Sequence, residues 1–175
     1  MKKTLKMTLA SCFIGTSFLI GSLVGANSDK QAIEELSEVT FFGNPSSSIS
    51  SSVAIPSDYN VLSFSGTVPS AINSEGATLY ERYGDTKTQA MSILEKFKVD
   101  LEEKGLSLAD VTYLRVYITP DPMKGNEFDY QGWFDAYAEY FDTEDTPKVA
   151  RSTVGVSSLV NSDWLIEIEA DVAFK

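Results

Sequence analysis

The chain has 175 residues, of which 14 are basic and 25 are acidic, and it contains one cysteine and no histidine. The absence of histidine excludes a serine–histidine triad, a cysteine–histidine pair and the common zinc sites, so we expect no metal site of that kind. An acidic surface repels phosphate backbones and anionic membranes, which excludes nucleic acid as an expected partner.

The first 26 residues have the three-part pattern of a cleavable signal peptide. Three lysines in the first six residues precede an apolar stretch, residues 7–24, which serine and threonine dilute. Val24-Gly25-Ala26 predicts cleavage after Ala26, and the stretch is shorter than the roughly 20 strongly apolar residues of a membrane anchor. A lipoprotein box ending at Cys12 is the alternative. The pattern predicts an exported protein, periplasmic or extracellular, with no membrane attachment after cleavage.

The mature chain is predicted to be one acidic domain. Residues 27–175 hold 11 basic and 25 acidic side chains, a net charge of −14. This length supports a single domain with a hydrophobic core. Because Cys12 is the only cysteine, the mature protein holds no disulfide and depends on packing or association. Residues 27–38 are predicted to be a loose arm or short helix before a domain at residues 39–175.

Hydrophobic periodicity predicts five strands and two helices. Helical spacing predicts the first helix from a capping box at Thr86–Gln89 to Gly105, and an aromatic run predicts the second helix at residues 133–141. Alternating apolar residues predict strands at residues 39–42, 59–65, 111–119, 150–156 and 164–172. This order is typical of an α+β domain, a mostly antiparallel sheet with two helices on one face.

The segments between these elements are predicted to be loops. Asn44–Ser52 is rich in serine, and it is either a flexible loop or a pocket lining of hydroxyl groups. Residues 67–83 are predicted to be irregular, and Pro120–Asn126 is predicted to be a loop.

The last two strands are predicted to form a hairpin with its charged side chains on the face away from the core. A symmetric turn would place Arg151 opposite Glu169. It would place Thr153 opposite Glu167, and Gly155 would leave open space on the same face. Arg151 then has two possible roles: a surface ion pair worth a fraction of a kcal/mol, or a planar fork that binds a substrate carboxylate through two parallel hydrogen bonds.

Several segments, taken in order, resemble a known family signature. The chain reads Val-Ala-Arg-Ser-Thr-Val-Gly-Val at 149–156, then Leu159, then Leu-Ile-Glu-Ile-Glu-Ala at 165–170. Residues 62–69 contain Ser-Gly-Thr-Val-Pro, and residues 137–141 read Tyr-Ala-Glu-Tyr-Phe. From about residue 39 to residue 174, this order resembles the RidA (YjgF-like) family.

The resemblance implies a chorismate-mutase-like α+β fold that assembles as a homotrimer, with a cleft at each subunit interface. It implies hydrolysis of reactive enamines and imines, such as 2-aminoacrylate, to 2-keto acids and ammonia without a cofactor. Arg151 matches the arginine that holds the substrate carboxylate, and Glu167 matches the glutamate that positions the attacking water. Ser65 and Gly66 match a serine–glycine pair near the pocket.

Some positions depart from the family pattern. The family asparagine falls on Phe134, and the cysteine often found two residues after the arginine is Thr153. A tyrosine common before the first long strand is missing from Ser50-Ser51-Ser52, and one extra residue separates Arg151 from Glu167. We therefore expect Phe134 and Thr153 to line a substrate pocket of altered size and polarity.

Three functions remain open from the sequence. The chain is a deaminase of 2-imino acids, a non-catalytic protein that binds small carboxylates or keto acids through the same arginine, or a ribonuclease, a label that some family members bear. The net charge of −14 and the absence of histidine argue against the ribonuclease.

Overall fold

The computed structural model of the chain describes residues 36–175. The predicted signal peptide and most of the predicted arm lie outside these residues. Export and cleavage after Ala26 therefore stay predictions, and mass spectrometry of the native protein would test them by identifying its first residue. Within the described part, no helix is long and apolar enough to cross a membrane.

Eight strands and three helices follow one another along the described chain. In chain order they are β1 (Thr40–Phe42), β2 (Ser52–Ala54), β3 (Asn60–Thr67), α1 (Leu79–Tyr83), α2 (Thr86–Glu103), β4 (Val111–Ile118), β5 (Pro120–Asp121), β6 (Glu127–Phe128), α3 (Tyr130–Tyr140), β7 (Ala150–Gly155) and β8 (Ile166–Phe174), with 3-10 turns at Leu108–Asp110 and Pro122–Lys124. The predicted strands and the two long helices are thus present, while α1 and β5 lie in segments predicted to be irregular and the short strands β2 and β6 were not predicted.

The main sheet has the strand order β3-β8-β4-β7. Strand β8 runs antiparallel to both β3 and β4, whereas β7 runs parallel to β4. The sheet is therefore mixed, and β7 is one of its edge strands. Helices α2 and α3 contribute to the hydrophobic core on one face of this sheet, as predicted.

The predicted hairpin of the last two strands is wrong. Strand β4 lies between β7 and β8, so that Arg151 pairs with Leu114 and Glu167 pairs with Tyr117. The connection at residues 156–165 is longer than the two to five residues of a usual hairpin loop, and it lets β8 insert between β3 and β4. Arg151 and Glu169 are consequently not neighbours.

Helix α2 begins at Thr86 and its N-cap is Asp85, whereas the predicted capping box placed the cap at Thr86. The Asp85 carboxylate accepts a hydrogen bond from the Thr88 amide at 2.9 Å, and Thr86 is already helical. An acidic side chain at this position satisfies an amide that the first turn leaves free. The predicted end is confirmed, since Gly105 has a φ of +73°, a left-handed conformation that favours glycine.

Helix α3 is held against the start of β7 by its aromatic side chains. The Tyr137 ring stacks on Phe141 at 4.9 Å between centroids, and Trp133 meets Tyr137 edge-on at 5.6 Å. The Val149 amide donates a hydrogen bond to the Tyr137 hydroxyl at 3.0 Å. These contacts fix the position of β7 relative to α3, and they therefore also fix the side chains that lie between the two elements.

The serine-rich loop is anchored to the segment before β7. The buried Ser50 hydroxyl donates to the Lys148 carbonyl at 2.6 Å, and Lys148 Nζ donates to the Ser47 carbonyl at 2.7 Å. Ser51 and Ser52 line a cavity of about 520 Å³. The loop therefore packs against the β-sheet domain, and two of its serines do line a pocket.

One buried side chain holds the connection between β7 and β8. Gln89 of α2 is fully buried; its amide nitrogen donates to the Asp163 carbonyl at 3.0 Å, and its amide oxygen accepts from the Leu165 amide at 2.8 Å. The Asp163 carboxylate in turn receives two hydrogen bonds from Arg82 of α1. Helices α1 and α2 thus fix the path by which the chain reaches β8.

We expect Gln89→Leu to lower the free energy of unfolding by at least about 2 kcal/mol, because it leaves a buried donor and a buried acceptor without partners. Urea unfolding of the mature protein measures the change. The matched control is Gln131→Leu on an exposed position of α3, which we expect to change stability by less than about 0.5 kcal/mol. Equal effects of the two substitutions would contradict the assigned role of Gln89.

Candidate functional site at the sheet edge

Arg151 lies on the edge strand β7 and points toward the helices. Its parallel partner Leu114 belongs to the buried core, so both side chains share the helix-covered face of the sheet. The guanidinium carbon lies 4.1 Å from the ring centroid of Tyr137, 5.0 Å from Phe134 and 5.4 Å from Trp133. The predicted position on the polar face is therefore wrong, because aromatic rings of α3 cover the side of β7 that carries the arginine.

The Arg151 guanidinium lacks a counter-ion among residues 36–175. Its Nη1 atom is buried, and no described residue accepts a hydrogen bond from it. Burial lowers the pKa of Arg151, and only the nearby Tyr137 hydroxyl opposes this effect. A buried cation without a partner is unfavourable unless an anion joins it. Of the two roles open from the sequence, the surface ion pair is not formed here, and the arrangement is suited to binding an anion.

The other arginine of the sheet provides a contrast. Arg115 lies on the opposite face, with Nη2 2.6 Å from Asp171 Oδ2 and Nη1 3.9 Å from the Glu169 carboxylate. Although burial raises the pKa of Asp171, hydrogen bonds from Arg115 and Ser63 lower it overall. Arg115 is thus already neutralised by the protein, whereas Arg151 is not.

Thr153 and Gly155 lie on the same face of β7 as Arg151. The Thr153 hydroxyl oxygen accepts a hydrogen bond from Trp133 Nε1 at 3.2 Å, which leaves its own hydrogen free to be donated. A Cβ atom on Gly155 would lie 2.8 Å from the Phe128 ring and 2.9 Å from the Tyr130 hydroxyl. The predicted open space beside Gly155 is therefore wrong: two aromatic side chains fill it.

Glu167 lies on the opposite face of the sheet, in contact with Gly66. A Cβ atom on Gly66 would lie 1.9 Å from Glu167 Oε1, so only glycine allows the carboxylate to lie there. The ladder between β3 and β8 shifts register between Phe64 and Thr67, and Ser65 in this irregular stretch is exposed. Gly66 thus lies against the Glu167 carboxylate, and Ser65 adjoins Gly66 along the chain.

The predicted site residues form two groups that do not meet within one chain. Arg151, Thr153 and Phe134 lie on the helix-covered face at one edge of the sheet. Glu167 lies on the other face, on β8, two strands away with β4 between, and Gly66, which it contacts, lies one strand further, on β3. A site that uses both Arg151 and Glu167 consequently requires a second copy of the chain.

The sequence reasoning missed part of the surroundings of Arg151. The aromatic residues of the second helix were identified from their spacing and Phe134 was predicted to line the pocket, yet no prediction placed Trp133 and Tyr137 beside the guanidinium. The available signal was the position of this helix immediately before β7, because a helix that leads into a parallel edge strand packs across that strand. Phe128 was not identified, since β6 is only two residues long, and Tyr130 lies in the first turn of α3, before the predicted start of that helix.

Comparisons with known proteins agree with this architecture. A family model described as endoribonuclease L-PSP matches residues 45–174. A RutC family protein of Pyrococcus horikoshii is 44% identical over 94 residues, which cover 53% of this chain and 64% of that protein. The chain thus spans less than two thirds of the length of that relative.

Solved structures with the same fold were also found. A protein of the conserved Rid family from Yersinia pestis superimposes with a TM-score of 0.58 at 22% identity, covering 78% of this chain and 99% of the other. TdcF of Escherichia coli, solved with bound serine, gives a TM-score of 0.51 at 27% identity, covering 66% of this chain and 81% of TdcF.

Proposed function

Because the chain belongs to the RidA (YjgF-like) family, we propose that it hydrolyses reactive enamine and imine intermediates to 2-keto acids and ammonia. The family match over residues 45–174 confirms the resemblance and the α+β fold. The activity itself is our proposal, and the proposed substrates are of the 2-aminoacrylate type.

One observation carries the proposal. The Arg151 guanidinium is half-buried beside three aromatic rings and has no carboxylate partner among the described residues. A planar guanidinium binds a carboxylate through two parallel hydrogen bonds, and the substrates proposed here all carry a carboxylate. The amino acid bound to the relative TdcF supports a ligand of this size and charge.

The proposed chemistry requires little beyond orientation. The carbon of an imine is already electrophilic, so a clamped carboxylate and a positioned water supply much of the catalysis. An enamine substrate first tautomerises to its imine, as a proton moves from nitrogen to the β-carbon. Water then adds to the imine carbon, and Glu167 accepts a proton from the water and returns it to the nitrogen, which gives the carbinolamine. The hydroxyl proton of the carbinolamine then passes to the nitrogen, the carbon–nitrogen bond breaks, and the 2-keto acid and ammonia leave.

The geometry of one chain supports an oligomeric enzyme. Arg151 is on an edge strand and Glu167 is on the opposite face, so the two side chains approach one another only between copies. A cyclic assembly repeats the same contact at each interface. The family resemblance implies three copies, so we propose a homotrimer with one site at each interface.

We expect light scattering at micromolar concentration to give about three times the mass of the mature chain, since a three-fold ring closes every such interface. A stable monomer at this concentration would contradict both the trimer and the shared site.

The activity is tested by release of ammonia or keto acid from enzymatically generated 2-aminoacrylate, measured above the spontaneous rate. A second function is a non-catalytic protein that binds small carboxylates or keto acids. It is favoured because Arg151 is retained, while Phe134 and Thr153 replace the residues that the family usually has beside it. Binding of a keto acid without acceleration of hydrolysis would support that second function.

A further inference from the structure

The surroundings of Arg151 contain more aromatic surface than a small substrate needs. Five rings lie along the helix-covered face of β7, and we call them the aromatic wall: Phe128, Tyr130, Trp133, Phe134 and Tyr137. Trp133 and Tyr137 are core residues, with exposed fractions of 0% and 2%. Phe134 and Phe128 are 39% and 38% exposed. The wall thus has a buried part that supports the guanidinium and a partly exposed part within the single chain.

The exposed part lies where the side chain of a bound substrate would be. A carboxylate hydrogen-bonded to a guanidinium lies about 3 Å from its nitrogen atoms, so the next substituents lie roughly 4–6 Å away. The Phe134 ring centroid is 5.0 Å from the guanidinium carbon. Whichever edge of the guanidinium is used, the substrate side chain comes within reach of an aromatic ring.

Polar partners are scarce on this face. No ring of the aromatic wall carries a charge. The polar groups beside the rings are neutral hydroxyls, and the Thr153 oxygen already accepts a hydrogen bond from Trp133 Nε1, which leaves only its hydrogen to donate. An acidic substrate side chain would lose its hydration here and gain only neutral hydrogen bonds, which is unfavourable for a charge. An apolar side chain would instead cover rings that are now exposed to water.

We propose, on the basis of the function proposed above, that the site selects 2-imino and 2-keto acids whose side chain is aromatic or large and apolar. Phe134 is the residue that determines this specificity, because it combines contact with the guanidinium with an exposed ring. Small substrates of the 2-aminoacrylate type are then turned over but bound weakly.

The test compares three keto acids by calorimetric titration of the mature protein. We expect phenylpyruvate to bind at least about 10-fold more tightly than pyruvate, from the additional apolar area it buries. We expect 2-oxoglutarate to bind no more tightly than pyruvate. Phe134→Asn should bring the ratio of phenylpyruvate to pyruvate affinity close to one, while the matched control Phe134→Leu should retain most of it.

The outcomes separate this inference from the function on which it rests. Equal affinity for all three keto acids, abolished in each case by Arg151→Ala, would overturn the specificity and leave the carboxylate clamp intact. Absence of binding by any keto acid, or binding unaffected by Arg151→Ala, would overturn both. The comparison of ligands uses the unaltered protein, so it does not depend on how well a variant folds.

Discussion

Arg151→Ala is expected to lower kcat/KM for imine hydrolysis by at least about 100-fold, because two charge-assisted hydrogen bonds to a carboxylate contribute about 1.5–3 kcal/mol each. The effect should appear in binding of the substrate as well as in turnover. The measurement is release of keto acid from generated 2-aminoacrylate, together with titration of a keto acid product. Unchanged activity of this variant would show that Arg151 does not hold the substrate.

The same substitution should leave the fold intact. Truncation removes the contacts of the guanidinium with three aromatic rings, which are stabilising. It also removes a cation that is half-buried without a counter-ion, which is destabilising. The two effects oppose one another, and we expect the free energy of unfolding to change by less than about 1 kcal/mol.

Substitution by lysine distinguishes shape from charge. Arg151→Lys keeps the positive charge but loses the planar fork, so we expect most of the activity to be lost. The matched control is Arg115→Lys on the opposite face, where a lysine can still pair with the Asp171 carboxylate. We expect this control to retain activity within about 3-fold, since its ion pair is a surface contact.

Residue patterns predicted the faces of the strands better than their partners. In β8 the charged residues face away from the core as predicted, and the alternating residues Ile166, Ile168, Ala170 and Val172 are buried, because a central strand buries the apolar row of its alternation. In β7 the shared face of Arg151 and Thr153 was predicted correctly, yet the face was assigned to solvent. Alternation along an edge strand does not indicate which side a helix covers.

The pairing of the strands depends on the whole chain. Nothing in residues 150–172 indicates that β8 inserts between β3 and β4, because a ladder is formed by backbone groups that every residue carries. The buried Gln89 and the ion pair between Arg82 and Asp163 hold the connection that makes this insertion possible. Such contacts join distant segments and leave no local periodicity.

A short helix was missed although its signal was present. Helix α1 has only five residues, too few for hydrophobic periodicity. It nevertheless begins with a capping box, in which Thr78 and Glu81 satisfy one another's backbone amides. The Thr-x-x-Glu spacing could have predicted the start of this helix.

The site residues were identified by resemblance, but the distance between Arg151 and Glu167 in the folded chain could not be predicted in the same way. Spacing along the chain does not show that Arg151 and Glu167 lie on opposite faces of one sheet. That arrangement follows from the parallel pairing of β7 with β4 and the antiparallel pairing of β8 with β4. A site that uses both side chains would therefore lie between two copies of the chain.

Glu167→Gln is expected to lower kcat by about 100-fold or more while the affinity for a keto acid changes by less than about 3-fold, because glutamine keeps the shape but cannot accept the proton of water. The matched control is Glu169→Gln on the same face and strand, beside Arg115. We expect the control to retain most activity. Equal losses in both variants would indicate that the acidic face acts through assembly or stability instead of through one base.

Mixing two inactive variants tests whether the site is shared. Arg151→Ala and Glu167→Gln chains, unfolded together and refolded at equal concentration, should form mixed trimers. Each mixed trimer contains one interface at which an intact arginine of one copy meets an intact glutamate of another, so random mixing should restore about one quarter of the native activity. The double variant, mixed with either single variant in the same way, provides the control and should restore none. Failure of the single variants to restore activity, in mixed trimers verified by mass, would show that Arg151 and Glu167 do not act at one interface site.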